Sequence, residues 1–346
     1  MSHERRGIAG AGSWIIDRLY ICDFWPAEET LANILNEERG TGGAPYNCLL
    51  DIAKFGFDEG GGAIPLEAIG LIGDDANGRT IQADCADNGI DTSSLLVCDE
   101  APTSYTNVMV IQDSGRRTFF HNRGANALFG VEHVPVDQIK ARLVHFGYLL
   151  LLDRMDEPDD EFGTAAARIL KQLQDAGIET SIDAVSEDSD RFARIVKPAL
   201  RYTDYAILNE FEAGKTTGHD LKPDGKVDIE AVRGSARELL NMGVGKLVCV
   251  HMPEGGYVLT ADGAEFWQAS LQLPAGYIKG AAGAGDAFCA GMLLGIHERW
   301  DIEKSLLLAV CSAAMSLSEP GCTEACTNLT DTLALAEKYP FQPAIM

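Results

Sequence analysis

The chain has 346 residues, of which 46% are hydrophobic, and carries a formal net charge of −24 with an isoelectric point near 4.6. Its size and apolar content fit one α/β domain with an appendage, or two domains. A surface this acidic repels polyanions, so nucleic acid and anionic membranes are excluded as partners. An anion site in this chain must therefore depend on helix ends, a few cationic side chains or a divalent cation.

Nine cysteines occur without a regular spacing. Cys322 and Cys326 do not form a C-x-x-C pair, and no histidine stands near them at the spacing of a zinc site. We therefore predict reduced, mostly buried thiols in a cytoplasmic protein. The segment after Met1 contains no apolar run typical of a signal peptide, and no apolar run reaches the roughly 18 residues that a membrane span needs.

Extended, partly aromatic segments characterise the first half of the chain. Trp14–Trp25 is one of them, and it contains the acidic residue Asp17. Further along, Gly42–Asn47 has two glycines followed by an asparagine, a pattern that by itself is more typical of a turn before a helix. Thr103–His121 contains the turn residues Asp113–Gly115, which predict a β-hairpin.

Strand-like and helix-like segments alternate in the second half. The predicted strands are 143–152, 178–182, 205–208 and 246–251, and the predicted helices are 164–176, 188–196, 228–242, 287–300 and 305–317. Repeated β-α-β units imply a mostly parallel sheet covered by helices on both faces. In such sheets, ligands bind beyond the carboxyl ends of the strands.

Asn209 and Glu212 follow the predicted strand 205–208, at the edge where ligands gather. They also fit a helix N-cap with an acid at the third helical position. The next residues, Gly214-Lys215-Thr216, look like the end of a P-loop, but the first glycine of that motif would fall on Asn209. We therefore reject a P-loop and expect Lys215 to be a solvated helix residue.

The segment Gly280–Phe288 is the most informative stretch of the sequence. Its glycines and alanines expose the backbone just before a predicted apolar helix, and Asp286 follows at once. Unpaired N–H groups and the helix dipole at such a point favour a phosphate. A carboxylate there can accept a proton from a substrate hydroxyl. Taken alone, Asp286 could equally be a helix-capping residue, but the combination suggests a kinase of small molecules.

Three motifs in matching order resemble the signatures of the ribokinase-like (PfkB) carbohydrate kinases. They are Gly42-Gly43-Ala-Pro-Tyr-Asn47, Asn209-Glu-Phe-Glu212 and Gly283-Ala284-Gly285-Asp286. The resemblance implies a single domain, residues 1–346, with a three-layer α/β/α sandwich around a mostly parallel sheet. It also implies a small β lid over the sugar site, built from roughly 14–40 and 100–125, although an ordinary edge extension is the alternative.

The same resemblance implies roles for individual residues. Asp286 would be the catalytic base, kept ionised by the helix N-terminus, and the backbone of Gly283, Ala284 and Gly285 would hold the phosphates. The implied sugar-binding residues are Asp17, Gly42, Gly43, Asn47 and Arg123, whereas Arg116 and Arg117 are expected to point into solvent. Asn209 and Glu212 would organise Mg²⁺ through water near ATP. Asp183 either lines the nucleotide cleft or is a solvated residue at a strand end.

Two departures from the family pattern are visible. Gly280 and Ala281 stand where most relatives have Asp-Thr, and the missing Asp contributes to a monovalent cation site in those that use one. We therefore do not expect activation by K⁺, although the companion loop persists as Ala314–Ser316 and Pro320–Cys322. The usual Thr-Leu-Gly-x-x-Gly is changed to His251–Gly256, so His251 either contacts phosphate together with Gly256 or simply ends a strand.

The predicted function is ATP- and Mg²⁺-dependent phosphorylation of a hydroxyl of a monosaccharide or sugar acid. A nucleoside kinase of the same fold is one alternative, and it would need an aromatic stacking surface in the acceptor pocket. A catalytically weak sugar or nucleotide sensor is another, motivated by the altered residues Gly280, Ala281 and His251. Homodimers through the lid occur in this family, and an exposed apolar edge such as Val108–Ile111 would favour one.

Overall fold

The computed structural model describes residues 5–57 and 62–345, whose strands form two main sheets and a two-stranded ribbon of β9 and β10. The strands are β1 (Ile8–Gly12), β2 (Ile15–Cys22), β3 (Ile34–Gly42), β4 (Leu66–Gly73), β5 (Ile90–Cys98), β6 (Ser104–Ile111), β7 (Arg117–Asn122), β8 (Leu143–Leu149), β9 (Pro158–Asp159), β10 (Gly163–Thr164), β11 (Glu179–Ala184), β12 (Tyr205–Asn209), β13 (Leu247–Met252), β14 (Gly255–Thr260) and β15 (Glu265–Ala269).

Helices separate most of the strands of the second half, as the sequence predicts. They are α1 (Ala44–Phe55), α2 (Ala76–Asp87), α3 (Ala165–Asp175), α4 (Phe192–Leu200), α5 (Glu210–Thr217), α6 (Ile229–Asn241), α7 (Ala284–His297), α8 (Ile302–Ser316), α9 (Leu329–Leu333) and α10 (Leu335–Lys338). Within the described ranges, no helix has the length and apolar character that crossing a membrane requires.

A nine-stranded sheet in the order β15-β14-β13-β12-β11-β8-β1-β4-β5 forms the centre of the molecule. The strands from β13 to β5 pair in parallel, and β14 and β15 add an antiparallel hairpin at one edge. Alternate residues of a strand face opposite sides, and along β12 Ala206 and Leu208 enter one apolar cluster whereas Tyr205 and Ile207 enter the other. Helices cover both faces, which confirms the predicted three-layer sandwich.

Two apolar clusters fill the space between these layers. One contains Ile169 and Leu173 of α3 with Leu239 of α6, and the other contains Leu49 of α1 with Leu293 of α7. Burial of such side chains supplies the main driving force that holds the helices on the sheet. The site described below lies at the carboxyl ends of the parallel strands, between these two helical layers.

The first half contributes more to the central sheet than the sequence indicates. Strands β1, β4 and β5 belong to it, although none of them was predicted. The reason is visible in β1, whose Ile-Ala-Gly-Ala-Gly sequence lacks the usual enrichment in β-branched residues. Glycine is needed there, because a Cβ on Gly10 would lie 3.0 Å from atoms of Leu49 and Pro45 in α1.

A separate four-stranded sheet, here named the small sheet, has the order β3-β2-β6-β7. Its β6–β7 hairpin turns at Asp113–Gly115, and the Gly115 N–H donates to the Ile111 carbonyl at 2.7 Å, which confirms the predicted hairpin. The expectation that Val108–Ile111 forms an exposed edge is wrong. That segment belongs to β6, which pairs with β2 on one side and β7 on the other.

Candidate active site

A cavity of about 570 Å³ lies between the small sheet and the carboxyl ends of β8, β11, β12 and β13. It collects residues that are far apart in the chain, as expected for a parallel sheet. Most of the site residues proposed from the sequence line this cavity, namely Asp17, Gly42, Gly43, Asn47, Asp183, Asn209, Glu212, His251, Gly283, Gly285 and Asp286. Arg123, Gly256 and Ala284 do not line it.

Asp286 is buried in the first turn of α7 and is held by two side chains. The Asn47 amide donates to Asp286 Oδ2 at 2.7 Å, and the Tyr148 hydroxyl donates to Oδ1 at 3.0 Å. Asn47 is itself fixed, because its Oδ1 accepts from the Thr41 hydroxyl at 2.6 Å. The carboxylate therefore has a defined orientation at the base of the cavity.

The sequence missed Tyr148, the penultimate residue of β8. Burial, together with the negative charge of Asp286, raises the pKa of Tyr148 well above its ordinary value, so the phenol remains a donor. The predicted strand ran to residue 152, whereas the observed strand ends at Leu149, so the sequence did not place Tyr148 at the ligand-binding edge. No local motif marks it, because its partner Asp286 is 138 residues away in the chain.

The expectation that the helix N-terminus keeps the pKa of Asp286 low is wrong. Burial raises the pKa of Asp286 above its ordinary value, and the hydrogen bonds from Asn47 and Tyr148 oppose this rise without cancelling it. A raised pKa makes the carboxylate a stronger base than a solvated aspartate. Helix α7 also begins at Ala284, three residues before the predicted start at Ala287, so the dipole end includes the glycine loop.

Gly283 forms the turn that leads into α7. Its φ of 73° and ψ of −4° are left-handed, and a Cβ there would lie 2.5 Å from the Cys322 carbonyl oxygen. Only glycine satisfies both conditions. The first N–H groups of α7, which have no partner within the helix, begin directly after this turn and next to the cavity.

The opposite end of the cavity contains Asp17 and the two glycines of the first motif. Burial raises the pKa of Asp17 to about 7, although a hydrogen bond with Thr106 opposes this. A Cβ on Gly42 would lie 2.7 Å from Asp17 Oδ1, and one on Gly43, where φ is 96°, would lie 2.2 Å from the Ser13 carbonyl oxygen. Gly42 therefore leaves the space that the Asp17 carboxylate occupies, and Gly43 permits the close approach to the Ser13 backbone.

The positions of Arg117 and Arg123 are the reverse of those expected from the sequence. Arg123 makes an ion pair with Asp153 at 2.7 Å and donates to the Leu150 carbonyl oxygen, away from the cavity. Arg117 lines the cavity beside Asp17 instead of pointing into solvent, whereas Arg116 is exposed as expected. The reason is the alternation of side chains along β7, which turns Arg117 and Phe119 toward the same space.

Asn209 and Glu212 form a capping box at the start of α5. Asn209 Oδ1 accepts from the Glu212 N–H at 2.9 Å, and Glu212 Oε2 accepts from the Asn209 N–H at 3.0 Å. The Ser186 hydroxyl donates to Glu212 Oε1 at 2.7 Å. Burial raises the pKa of Glu212 to about 7, and burial together with the charge of Glu212 raises the pKa of Asp183 well above its ordinary value.

These acids make one end of the cavity strongly negative. Asp183, Glu187 and Glu212 all line it there. Oxygen donors of this kind are those that Mg²⁺ prefers, and a divalent cation would offset their negative charge. The residues present therefore fit a magnesium ion.

His251 and Gly256 have different environments. His251 lines the cavity, its ring stacks on Phe288 at 4.9 Å between centroids, and burial lowers its pKa to about 4. A neutral imidazole there adds no positive charge for a phosphate. Gly256 faces the core, because a Cβ would lie 2.6 Å from the Phe288 ring, so its role is close packing under α7.

The loop before α7 is packed against the segment after α8. A Cβ on Gly280 would lie 2.7 Å from the Pro320 carbonyl oxygen and 2.8 Å from the Pro320 Cα. Lys279 donates its N–H to the Leu317 carbonyl oxygen and pairs with Glu319 at 2.8 Å. No larger side chain fits at Gly280 unless this contact changes.

Comparisons with known proteins extend over almost the whole chain. Residues 8–329 match the family described as pfkB family carbohydrate kinase. The ATP-dependent ribose-1-phosphate kinase of Halopiger xanaduensis is 24% identical over 338 residues, which cover 96% of this chain and 98% of that protein. The 5-dehydro-2-deoxygluconokinase of Shouchella clausii is 23% identical over 316 residues, covering 90% of each chain.

Solved structures show the same fold. Arabidopsis thaliana ribokinase complexed with ribose and ATP has a TM-score of 0.74 at 19% identity, covering 96% of this chain and 99% of that one. The Methanocaldococcus jannaschii nucleoside kinase, an archaeal member of the ribokinase family, has a TM-score of 0.71 at 16% identity, covering 97% of this chain and 100% of that one.

Proposed function

Because the chain belongs to the pfkB family of carbohydrate kinases, we propose that it transfers the γ-phosphoryl group of ATP to a hydroxyl of a monosaccharide or sugar acid. The observation that carries this proposal is the position of Asp286. Its carboxylate lies at the base of the cavity, at the N-terminus of α7 and next to the Gly283 turn. A base and an anion-binding backbone therefore meet at one point.

ATP as the donor is supported by two of the relatives. The Halopiger xanaduensis protein is named an ATP-dependent kinase, and the Arabidopsis thaliana ribokinase was solved with ribose and ATP. In this chain, Gly283, Gly285 and Asp286 at the start of α7 line the cavity, so the unpaired N–H groups and the positive end of the helix dipole lie next to it. We place the transferred phosphoryl group at this helix end.

In the mechanism that we propose, Asp286 accepts the proton of the acceptor hydroxyl as the oxygen–phosphorus bond forms and the bond to ADP breaks. Asn47 and Tyr148 hold the carboxylate in one orientation, so no reorganisation is needed when the proton moves. Asn47 is thus a positioning residue for Asp286, which gives its amide a role other than the predicted direct contact with the sugar.

We place Mg²⁺ at the acidic end of the cavity, held through water by Glu212 and Asn209, with Asp183 as a further oxygen donor. The ion would supply charge neutralisation for the ATP phosphates. The capping box keeps Asn209 and Glu212 fixed relative to each other. The Ser186 hydroxyl orients Glu212 Oε1 in addition.

The acceptor end of the cavity favours a neutral or carboxylated sugar. Asp17 and Thr106 offer polar atoms to hydroxyl groups, and Arg117 is the arginine beside them. Among the described lining residues, His121 is the other basic side chain at this end, but burial lowers its pKa to about 4. A single guanidinium suits one carboxylate better than a dianionic phosphate.

A nucleoside kinase is a second candidate, because one observation favours it. Phe119 lines the acceptor end and its side chain is 62% exposed, so a base could stack on its ring. The geometry does not favour the alternative of a catalytically weak sensor, since a protein that only binds ligands does not need the hydrogen bonds that hold Asp286.

The proposed function is tested by measuring ADP release from Mg·ATP with a panel of monosaccharides, sugar acids, phosphosugars and nucleosides. Turnover with a sugar or sugar acid supports the proposal. Turnover with nucleosides alone would show that the protein is a nucleoside kinase instead. If no acceptor is turned over while ATP still raises the melting temperature, the kinase proposal fails in favour of the sensor.

We expect the KM for the sugar to fall about tenfold as the pH rises through about 7. The pKa of Asp17 is raised to about 7, so its carboxyl is protonated below that pH and ionised above it. The ionised form accepts stronger hydrogen bonds from sugar hydroxyls. The groups that face Asp17 are Thr106 and Arg117, which lower this pKa, and Asp286 and Glu324, which raise it.

The measurement is the KM of the best acceptor between about pH 6 and pH 8 in wild type and Asp17→Asn. The variant should show a high KM with no such pH dependence, whereas Asp23→Asn, at a partly exposed residue just after β2, should behave as wild type. An unchanged pH profile in Asp17→Asn would contradict the role of this residue.

We expect kcat to be the same in K⁺ and Na⁺ at constant ionic strength. The backbone contact between Gly280 and Pro320 occupies the space in which an Asp side chain would begin. The check is ADP release in chloride salts of the two cations, with choline chloride as the reference. Clear stimulation by K⁺ over both other salts would contradict the expectation.

We propose that a second copy of the chain covers the small sheet and forms a homodimer. Exposed apolar side chains lie on its outer strands and adjoining loop, namely Phe24, Trp25, Ile34, Leu35 and Phe120, and the rings of Trp25 and Phe120 stack at 6.4 Å. Such a patch usually marks an interaction surface. Light scattering should give twice the chain mass of 37.2 kDa, and Phe120→Glu should give monomers.

The matched control for this dimer is Leu96→Glu, because Leu96 is 41% exposed on β5, at the far edge of the central sheet. This variant should remain dimeric. A monomeric wild-type protein at working concentration would contradict the proposal.

A further inference from the structure

Three potential metal ligands meet directly beneath Asp286. Cys48 of α1, His145 of β8 and Cys289 of α7 are all buried, and their ligand atoms lie within 4.8 Å of one another. Their separation in the chain hides this cluster from any spacing rule, since Cys289 is 144 residues from His145. None of the three lines the cavity, so the proposed kinase reaction does not use them.

The distances are close to those of a tetrahedral zinc site. Cys289 Sγ lies 3.8 Å from His145 Nε2 and 4.0 Å from Nδ1. With zinc–sulfur bonds of about 2.3 Å and zinc–nitrogen bonds of about 2.0 Å, tetrahedral ligand atoms are separated by roughly 3.5 to 3.8 Å. The separation of sulfur and Nε2 is therefore suitable, and a reorientation of the imidazole that points Nε2 at the ion would complete the ligand geometry.

The surroundings of His145 orient its ring for such a role. Ser181 Oγ lies 3.1 Å from His145 Nδ1, which leaves Nε2 as the nitrogen available to a metal. A metal-binding histidine typically uses its second nitrogen for a hydrogen bond of this kind. Among the described residues, the nearest hydrogen-bonding contact of Nε2 is the long one to the Cys289 sulfur.

The thiols are also suited to a cation. A divalent ion with two thiolates and a neutral imidazole carries no net charge, which favours a buried site.

We propose that Cys48, His145 and Cys289 form a structural zinc site. The ion would join α1, β8 and α7, and Cys289 lies one helical turn after Asp286. The backbone carbonyl of Asp286, which accepts from Cys48 Sγ at 3.3 Å, is a nearby oxygen for the fourth position. Because the cluster is closed off from the cavity, zinc enters during folding.

The test is the metal content of protein produced in zinc-supplemented medium and passed through gel filtration with EDTA. We expect about one zinc per chain in wild type. Cys48→Ser and Cys289→Ser should lose it, whereas Cys311→Ser, a buried cysteine of α8, should retain it. Folded wild-type protein without zinc, or full zinc content in both cluster variants, would overturn the proposal.

A second measurement needs no variant and therefore remains decisive if the substitutions prevent folding. Wild-type protein produced with Co²⁺ in place of Zn²⁺ should show thiolate-to-cobalt charge-transfer absorption in the near ultraviolet. Bound cobalt without thiolate bands would place the metal elsewhere and overturn the proposal. Neither readout depends on kinase activity, so a failure here is distinguishable from a failure of the proposed function.

Discussion

Replacing Asp286 by Asn is expected to lower kcat by about 10²- to 10⁴-fold while ATP still binds. The amide of Asn cannot accept the proton of the acceptor hydroxyl, yet it has nearly the same shape as the carboxyl group. Asn47 and Tyr148 lose part of their hydrogen bonding to it, which adds to the effect. The measurement is ADP release with the best acceptor, together with the shift in melting temperature that ATP produces.

Asp51→Asn is the matched control for this substitution. Asp51 is buried in α1 and does not line the cavity. Burial raises the pKa of Asp51 well above its ordinary value, which favours the neutral carboxyl group, and an amide has nearly the same shape. If Asp286→Asn retained a kcat similar to that of Asp51→Asn, Asp286 would not be the base.

Gly283→Ala is expected to lower kcat by about 10²-fold, a loss comparable to that of one oxyanion donor in other enzymes. The new Cβ would collide with the Cys322 carbonyl oxygen at 2.5 Å, so the turn before α7 must move. This movement would displace the N–H groups that we assign to the phosphates. Steady-state kinetics for ATP and the acceptor measure the loss.

Gly276→Ala is the control that separates the effect of the Cβ collision from the free-energy cost of a left-handed backbone. Gly276 has a φ of 78°, nearly that of Gly283, but no atom lies within 4 Å of its would-be Cβ. Both variants carry the left-handed backbone cost of about 1 to 2 kcal/mol, and only Gly283→Ala disturbs the loop. Equal activity in the two variants would show that the backbone of the Gly283 turn does not hold the phosphates.

Local patterns predicted most of the second half of the fold. The helix 228–242 is observed as Ile229–Asn241 with Asp228 as its N-cap, because the capping residue and the apolar stripe are both readable in the sequence. Strand β1 was missed, because its alanines and glycines are selected for close contact with α1 and not for strand propensity. Sequence patterns report local preference, whereas β1 depends on a distant partner.

In the candidate site, too, residues with a local sequence signature were predicted and residues that depend on distant contacts were not. Asp286, Asn209 and Glu212 were predicted from motifs, since helix starts and strand ends have local signatures. Arg117 was misplaced and Arg123 was favoured, because the register of the β6–β7 hairpin decides which side chains face the cavity. Tyr148 had no signature, because its function depends on contact with a residue far along the chain.

The sequence by itself determined the family, the three-layer sandwich and the positions of the Gly283 turn and Asp286, to which we assign phosphate binding and proton acceptance, because each depends on short segments whose chemistry is local. Only the tertiary structure decided the electrostatics. Burial raises the pKa values of Asp286 and Asp17, contrary to the expectation from the helix dipole for Asp286. The tertiary structure also brings Cys48 and Cys289 together around His145. Both results arise from the exclusion of water and from contacts between distant segments, which no local pattern encodes.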